Sequence, residues 1–178
     1  MHIAYTAEQQ QLQATIRQRM AELMTPALRA ELLQSEGGGP LYMETLQTLG
    51  REGWLGLGWP KQFGGQGRTP IEEFVFFDEM HRSGFPIPLL TLNTVGPTLM
   101  RFGTDAQKND YLPRILEGKV HFSIGYTEPD AGTDLASLKT TATRDGDHYI
   151  IHGQKIWTSL ADHADYLWLA ARTDPDAP

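Results

Sequence analysis

The sequence predicts an α+β protein in which an all-helical domain, residues 1–120, precedes an incomplete antiparallel β domain, residues 121–178. Capped segments with apolar residues at helical spacing fill the first two thirds of the chain. After His121 the pattern changes to short runs of β-branched and aromatic residues, and Asp145-Gly146 is a typical hairpin turn. Helices followed by strands are the order of an α+β chain or of two domains.

The helical half begins with a capping box, because Thr6 is a good N-cap residue and Gln9 follows three residues later. Apolar residues then recur at helical spacing until Pro26, which favours a stop or kink just before it. A glycine-rich loop at 37–40 separates this helix from a second one, which the sequence predicts at about 41–52.

The second part of the helical half starts with a long irregular connection, because residues 53–68 contain six glycines and one proline. A third helix is predicted from Thr69, where Glu72 completes another capping box. Residues 87–102 are apolar and predicted to be helical, with a bend at their internal Gly-Pro pair. Thr104 is predicted to cap a last helix at about 105–112, and the proline after that helix should end it.

The β half contains β-favouring runs separated by turn residues. Strands are predicted at 121–126, 139–144, 149–151, 155–158 and 166–169. A sheet this small should leave an uncovered face or edge. We therefore expect either that the chain is truncated or that a partner completes the sheet.

Composition excludes several classes of site. The absence of cysteine excludes disulfides, thiolate metal sites and cysteine nucleophiles, and six scattered histidines do not predict a metal site. A net charge of −7 without a Lys/Arg cluster argues against nucleic-acid binding. No apolar stretch approaches the roughly 18 residues of a membrane span, and no signal peptide precedes the first helix, so a cytoplasmic protein is expected by default. Rossmann, phosphate-loop and serine-elbow patterns are also missing.

Residues 125–134, Gly-Tyr-Thr-Glu-Pro-Asp-Ala-Gly-Thr-Asp, are the first candidate for chemistry. This composition is typical of a polar turn between strands, and it also suits a loop that binds an anion and a flavin. Thr127 and Thr133 offer hydroxyl donors, and Gly132 lets backbone N–H groups approach a phosphate closely.

Residues 153–159, Gly-Gln-Lys-Ile-Trp-Thr-Ser, are the second candidate. One interpretation is a core strand with a buried tryptophan. The other is a strand that lays an indole against a planar ring and places hydroxyls beside it, where they would tune the electron affinity of a flavin.

Together, in this order and at this separation, the two segments closely resemble the acyl-CoA dehydrogenase family. The stretches 54–65 and 102–118 resemble it too, so the resemblance covers nearly the whole chain from Thr6. It implies FAD as cofactor, lying between the β domain and a C-terminal helical domain. The implied flavin contacts are Ile124, Tyr126 and Thr127 on the pyrimidine side, Gly132 and Thr133 at the pyrophosphate, and Trp157, Thr158 and Ser159 around the dimethylbenzene ring and N5.

The same resemblance implies further roles. Thr133 is also expected to touch the CoA part of the substrate, and Glu128 and Asp134 to fix the loop. Ser159 stands where a threonine is usual, which keeps the hydroxyl and loses a methyl group. The acyl pocket is expected along residues 87–95, which are equally well explained as core.

The activity implied is removal of the α-proton of an acyl-CoA thioester and transfer of the β-hydrogen to flavin N5 as a hydride. The family's carboxylate base lies in a C-terminal part beyond this chain, so no catalytic residue is expected here and the chain alone should be inactive. Expected partners are an acyl-CoA substrate, an electron-transfer flavoprotein or similar acceptor, and further subunits of a homo- or hetero-oligomer. The alternatives are a relative resembling an acyl-CoA oxidase or nitroalkane oxidase, or a non-catalytic flavin-binding subunit.

Overall fold

The computed structural model describes residues 4–35 and 37–174, and the chain divides into two compact units at the His121–Phe122 bond. The α-helices of the described residues are α1 (Ala7–Leu23), α2 (Pro26–Ser35), α3 (Pro40–Arg51), α4 (Pro70–Ser83), α5 (Gly96–Phe102) and α6 (Asp105–Leu116). The strands of that part are β1 (Phe122–Gly125), β2 (Thr141–Asp145), β3 (His148–His152) and β4 (Tyr166–Leu169). A helical unit followed by a β unit confirms the predicted fold class.

Reciprocal capping sets the start of three helices. At α1, Thr6 Oγ1 accepts from the Gln9 amide at 3.2 Å, and Gln9 Oε1 accepts from the Thr6 amide at 2.9 Å. The same paired bonds form at Thr69 before α4 and at Thr104 before α6. The caps predicted at these three positions are confirmed, because each satisfies backbone N–H groups that the helix itself leaves unpaired.

Two prolines act differently from the prediction. Pro26 begins α2 instead of only ending α1, because proline at the first helical position has the required φ and needs no amide partner. Pro113 lies inside α6, which continues to Leu116, whereas the helix was predicted to end before it. Burial of Leu112 and Ile115 on either side of Pro113 stabilises that last turn despite the missing N–H.

The helical unit has an apolar core, and the carboxylate of Glu79 is buried with it. Its buried side chains include Ile16, Met20, Leu28, Leu46, Leu49, Val75, Phe76, Met80, Leu112 and Ile115. Glu79 of α4 accepts from Arg17 Nε at 2.8 Å and from Gln13 Nε2 at 2.9 Å, both on α1, and the Arg17 guanidinium lowers its pKa. These bonds join α1 to α4. None of the helices in the described ranges is both long and apolar enough to span a membrane.

A π-helical turn, Leu90–Val95, leads directly into α5 where the sequence predicted only a bend. A carbonyl in a π-turn accepts from the amide five residues later, and for Leu92 that residue is Pro97, which has no N–H. The indole Nε1 of buried Trp59 donates to the Leu92 carbonyl at 3.0 Å and takes the place of that amide. Gly96 packs on the same indole, where a Cβ would overlap the ring.

The β unit contains two separate two-stranded pairings among the described residues. β2 and β3 form the predicted antiparallel hairpin, with Thr141 opposite His152 and Asp145 opposite His148. β1 and β4 are parallel, with Phe122 opposite Tyr166, so this pair departs from the predicted antiparallel arrangement of the β domain. The chain leaves β1, makes the hairpin and returns in the original direction, which is the long connection that a parallel pair requires.

The strand predicted at 155–158 does not form. Residues 153–158 are irregular, and Trp157 has φ 58°, in the left-handed region. A residue with that φ cannot continue an extended strand, so the β-favouring composition of the segment was overridden by its tertiary contacts.

Candidate functional site

The two polar segments singled out in the sequence lie side by side in the β unit. The Ile156 amide donates to the Thr127 carbonyl at 3.0 Å. The Ser123 hydroxyl, on β1, donates to the Ser159 carbonyl at 2.9 Å. These two bonds bring the loop after β1 next to the segment that carries Trp157, although the two are far apart in sequence.

A buried ion pair lies at this junction. Lys155 Nζ is 2.8 Å from Glu128 Oε1, and the side chains are only 8% and 6% exposed. The Glu128 carboxylate also accepts from the amides of Lys139, at 2.6 Å, and Thr140, at 2.8 Å. The Lys155 ammonium, followed by these further donors, holds the pKa of Glu128 far below its ordinary value. Glu128 therefore stabilises the loop, as its assignment to loop fixing anticipated.

Four hydroxyls around the junction are free. Within residues 4–35 and 37–174, the side chains of Thr127, Thr133, Thr158 and Ser159 make no hydrogen bond to another residue. Among the other described hydroxyls of the unit, those of Ser123, Ser137 and Thr141 are hydrogen-bonded, whereas Thr140 Oγ1 is buried without a partner. The half-buried hydroxyls of Thr127 and Thr158 are therefore available to donate to a ligand.

Trp157 presents its indole to solvent. The residue is 81% exposed, which excludes the interpretation of a buried core tryptophan in the isolated chain. Its left-handed backbone costs about 1–2 kcal/mol for a residue that is not glycine. An exposed aromatic side chain held in a strained conformation is an arrangement that clusters at binding sites.

The turn at Gly132 and Thr133 has an open backbone face. Glu128 and Ala131 exchange backbone hydrogen bonds of 2.8 and 3.2 Å, and Ala131 is buried, so the turn is anchored from below. A Cβ built on Gly132 would meet no atom within 4 Å. In the part of the chain that the structure describes, no hydrogen bond joins this turn to Trp157 or its neighbours.

The two remaining predicted contacts lie on the β1–β4 pair. Ile124 is half-buried and stands opposite Trp168 in the parallel register. The Tyr126 hydroxyl accepts from Trp168 Nε1 at 3.2 Å, which directs the tyrosine ring towards that indole. No role was predicted from the sequence for Trp168 or Lys155. The available signal for Lys155 was a charged residue directly before Ile156 and Trp157 in a predicted strand, since such a charge must be paired if it is buried.

The expected acyl-pocket stretch, 87–95, is only partly accessible. Thr91, Leu92 and Val95 are buried within the helical unit and act as core residues there. In the β unit, the carboxylate next to the junction is Glu128, and its lowered pKa makes it a weak base. Neither observation supplies a proton acceptor for the expected chemistry.

Comparison with known proteins gives the relationship of the chain. Residues 6–119 match the acyl-CoA dehydrogenase N-terminal domain, and residues 123–178 match the acyl-CoA dehydrogenase middle domain. The acyl-CoA dehydrogenase FadE26 of Mycobacterium tuberculosis is 54% identical over 180 residues, covering 99% of this chain. The chain spans 45% of the length of that relative.

Solved structures agree with this relationship. A steroid acyl-CoA dehydrogenase named for two proteins, Tcur3481-Tcur3483, is 52% identical with a TM-score of 0.93, over 100% of this chain and 46% of that one. A glutaryl-CoA dehydrogenase from Mycobacterium smegmatis in complex with FADH2 is 26% identical with a TM-score of 0.81, over 96% of this chain and 44% of that one. The chain belongs to the acyl-CoA dehydrogenase family.

Proposed function

We propose that this chain binds FAD and contributes the flavin-side half of a site for α,β-dehydrogenation of acyl-CoA thioesters. The observation that carries the proposal is the junction in the β unit, where free hydroxyls and a strained, exposed indole lie on two adjoining segments. The flavin-binding residues proposed are Ile124, Tyr126, Thr127, Gly132, Thr133, Trp157, Thr158 and Ser159. Thr133 is also proposed to contact the CoA part of the substrate.

The residues suit the chemical parts of FAD. The open backbone face at Gly132 leaves room for a phosphate group close to the main chain. Free hydroxyls at Thr127 and Thr158 are donors for the polar edge of a flavin. The Trp157 indole offers a flat apolar surface that covers the ring system and excludes water from it.

Each partner in the reaction has a separate task. When bound, FAD supplies the acceptor for the hydride. The residues of this chain orient the ring, donate hydrogen bonds to it and keep the site dry. We assign no catalytic base to the described residues, because Glu128 is held as an ion pair with a lowered pKa. Proton removal is proposed to belong to a carboxylate that the rest of the protein supplies.

A steroid-derived acyl-CoA is the proposed substrate class. Its support is the 52% identity to a steroid acyl-CoA dehydrogenase, together with the apolar 87–95 stretch that suits a ring system. Because that relative is named for two proteins, a hetero-oligomer is the proposed assembly, with an electron-transfer flavoprotein or similar protein as acceptor.

Flavin titration tests the site. Thr127→Val keeps the shape of the side chain and removes the free hydroxyl, so we expect FAD affinity to fall about fivefold, the value of one hydrogen bond of about 1 kcal/mol. Thr143→Val is the matched control, because Thr143 is exposed on β2 in the hairpin. Quenching of flavin fluorescence measures both dissociation constants. Equal affinities in the two variants, or a wild-type protein that ignores FAD, would contradict the proposed site.

A further inference from the structure

The Glu128–Lys155 ion pair joins three chain segments that do not otherwise share a strand. Lys155 Nζ donates to Glu128 Oε1 at 2.8 Å and to the Tyr126 carbonyl at 3.0 Å. The Glu128 carboxylate also accepts from the Thr140 amide at Oε1 and from the Lys139 amide at Oε2, just before the hairpin. Both charges are therefore bound to backbone groups as well as to each other.

Packing alone does not require charges at this position. A buried ion pair is often no more stabilising than apolar side chains of the same volume, because both charges lose their hydration. Unlike an apolar pair, it makes directional bonds to particular backbone atoms. Here those atoms belong to Tyr126 on one side and to Lys139 and Thr140 on the other, so the pair sets the position of each segment.

The bonds bracket two of the proposed flavin contacts. Thr127 lies between Tyr126 and Glu128, and both of these neighbours are bonded to Lys155. The next residue after Lys155, Ile156, donates to the Thr127 carbonyl at 3.0 Å, and Trp157 follows directly. The Thr127 hydroxyl and the Trp157 indole are thus carried by backbone that is tied together at successive positions.

A close backbone contact supports the same junction from the hairpin side. A Cβ on Gly153 would overlap the backbone and side chain of Thr140. Thr140 is 2% exposed and its amide binds Glu128. Gly153, which follows β3 and precedes Lys155 by two residues, therefore packs directly on Thr140, whose amide binds the Glu128 carboxylate.

We infer that Glu128 and Lys155 are positioning residues that hold Thr127 and Trp157 at the separation a bound flavin requires, while neither contacts the flavin itself. The inference rests on the proposed function, since it concerns that same site. It predicts that loss of the pair makes the junction more mobile and leaves the hairpin unaffected. Flavin binding should weaken as a consequence.

The experiment compares Glu128→Gln and Lys155→Met with two further variants. Lys155→Arg retains the positive charge and tests rescue. Lys139→Met is the matched control, because the Lys139 side chain is 74% exposed in a surface pair with Asp130, while its amide bond to Glu128 is a backbone contact that the substitution leaves in place. Three measurements are made on the protein: FAD dissociation constant, absorption bands of the bound flavin, and amide hydrogen exchange without flavin.

We expect Glu128→Gln and Lys155→Met to weaken FAD binding about tenfold and to shift the bound-flavin bands, because a small displacement of positioned groups has large effects. Without flavin, the Ile156 amide should exchange about tenfold faster, while the Ala142 amide, bonded to the Arg172 carbonyl at 2.8 Å, should remain protected. Lys155→Arg should recover part of the affinity, and Lys139→Met should behave as wild type.

Three results would overturn the inference. The first is unchanged Ile156 exchange in Lys155→Met, which decides the matter even if the wild-type protein does not bind FAD and the proposed function fails. The second is loss of Ala142 protection in all three variants of the pair, Lys155→Arg included, which would make the pair a requirement for folding of the unit. Normal FAD affinity and bands in Lys155→Met, with faster Ile156 exchange, would also reject a role in flavin positioning.

Discussion

The backbone conformation of Trp157 destabilises the folded chain at the proposed site. Its side chain is exposed and contributes little burial, yet its backbone occupies the left-handed region that L-residues with a Cβ avoid. Within the chain alone, the conformation has a cost and no compensating apolar contact. A planar ligand stacked on the indole, as proposed for the flavin, would supply apolar contact that offsets this cost.

Replacing Trp157 with asparagine should separate stability from binding. Asparagine tolerates left-handed φ, so Trp157→Asn should raise the unfolding free energy of the β unit by up to about 1 kcal/mol while FAD affinity falls. Tyr149→Asn is the control, because Tyr149 is 56% exposed but lies in strand β3, where asparagine is unfavourable. Denaturant unfolding and flavin titration measure the two effects. A less stable Trp157→Asn would show that the indole is supported by the chain itself.

Gly96 and Gly132 can be compared by alanine substitution, because Gly96 is tightly packed and Gly132 has open space around it. At Gly96 the new methyl would overlap the buried Trp59 ring, so we expect a net loss of about 1–2 kcal/mol despite the better helix propensity of alanine. At Gly132 the methyl meets nothing, so stability should stay within about 0.5 kcal/mol. FAD affinity should respond in the reverse order, falling in Gly132→Ala alone. Thermal unfolding and flavin titration of both variants test this, and equal affinities would remove Gly132 from the site.

At the scale of elements, local sequence signals set where three helices start, whereas a tertiary contact contributes to the π-turn before α5. The three capping boxes involve residues only three positions apart, so the sequence alone predicts them. The π-turn before α5 depends on Pro97, which is local, and on the indole of Trp59, which is distant in sequence. Only a folded chain brings that indole to the Leu92 carbonyl.

The indole hydrogen bond should be necessary for the π-turn. Trp59→Phe keeps an aromatic ring and leaves the Leu92 carbonyl without its donor, which should destabilise the helical unit by about 1–3 kcal/mol. Trp54→Phe is the control, because Trp54 Nε1 binds Glu52 near the surface and its loss should cost less than about 0.5 kcal/mol. Amide hydrogen exchange should quicken at residues 90–96 in the first variant alone. Similar losses of stability in both would argue that ring volume matters more than the N–H.

At the scale of the whole molecule, the question is which groups could accept the proton in the proposed reaction. Next to the junction, the described carboxylate is Glu128, which forms an ion pair with Lys155 and has a lowered pKa, so it is a poor proton acceptor. The chain spans 45% of the length of FadE26.

The protein of 178 residues should therefore bind FAD without turning over substrate. FAD should raise its unfolding temperature, since a ligand that binds only the folded state stabilises it by mass action. With FAD, an acyl-CoA and an electron acceptor, reduction of the acceptor should not exceed the control without protein. A thermal shift without turnover is the expected pair of results; turnover above the control would show that a base is present after all.

The sequence was sufficient to predict the order of helices and strands, the three capped helix starts, the hairpin turn and the family. Each depends on residues close together in the chain, or on a motif whose spacing is kept. It did not determine the parallel β1–β4 pairing, the passage of α6 through Pro113 or the irregular backbone at Trp157. These were decided by tertiary structure, because they arise where the backbone and side-chain preferences of a segment compete with burial and with bonds to distant residues such as Glu128 and Trp59. The composition of residues 153–159 favoured a strand and left open whether its indole is buried or lies against a planar ring; in the folded chain the segment is irregular and the indole is exposed.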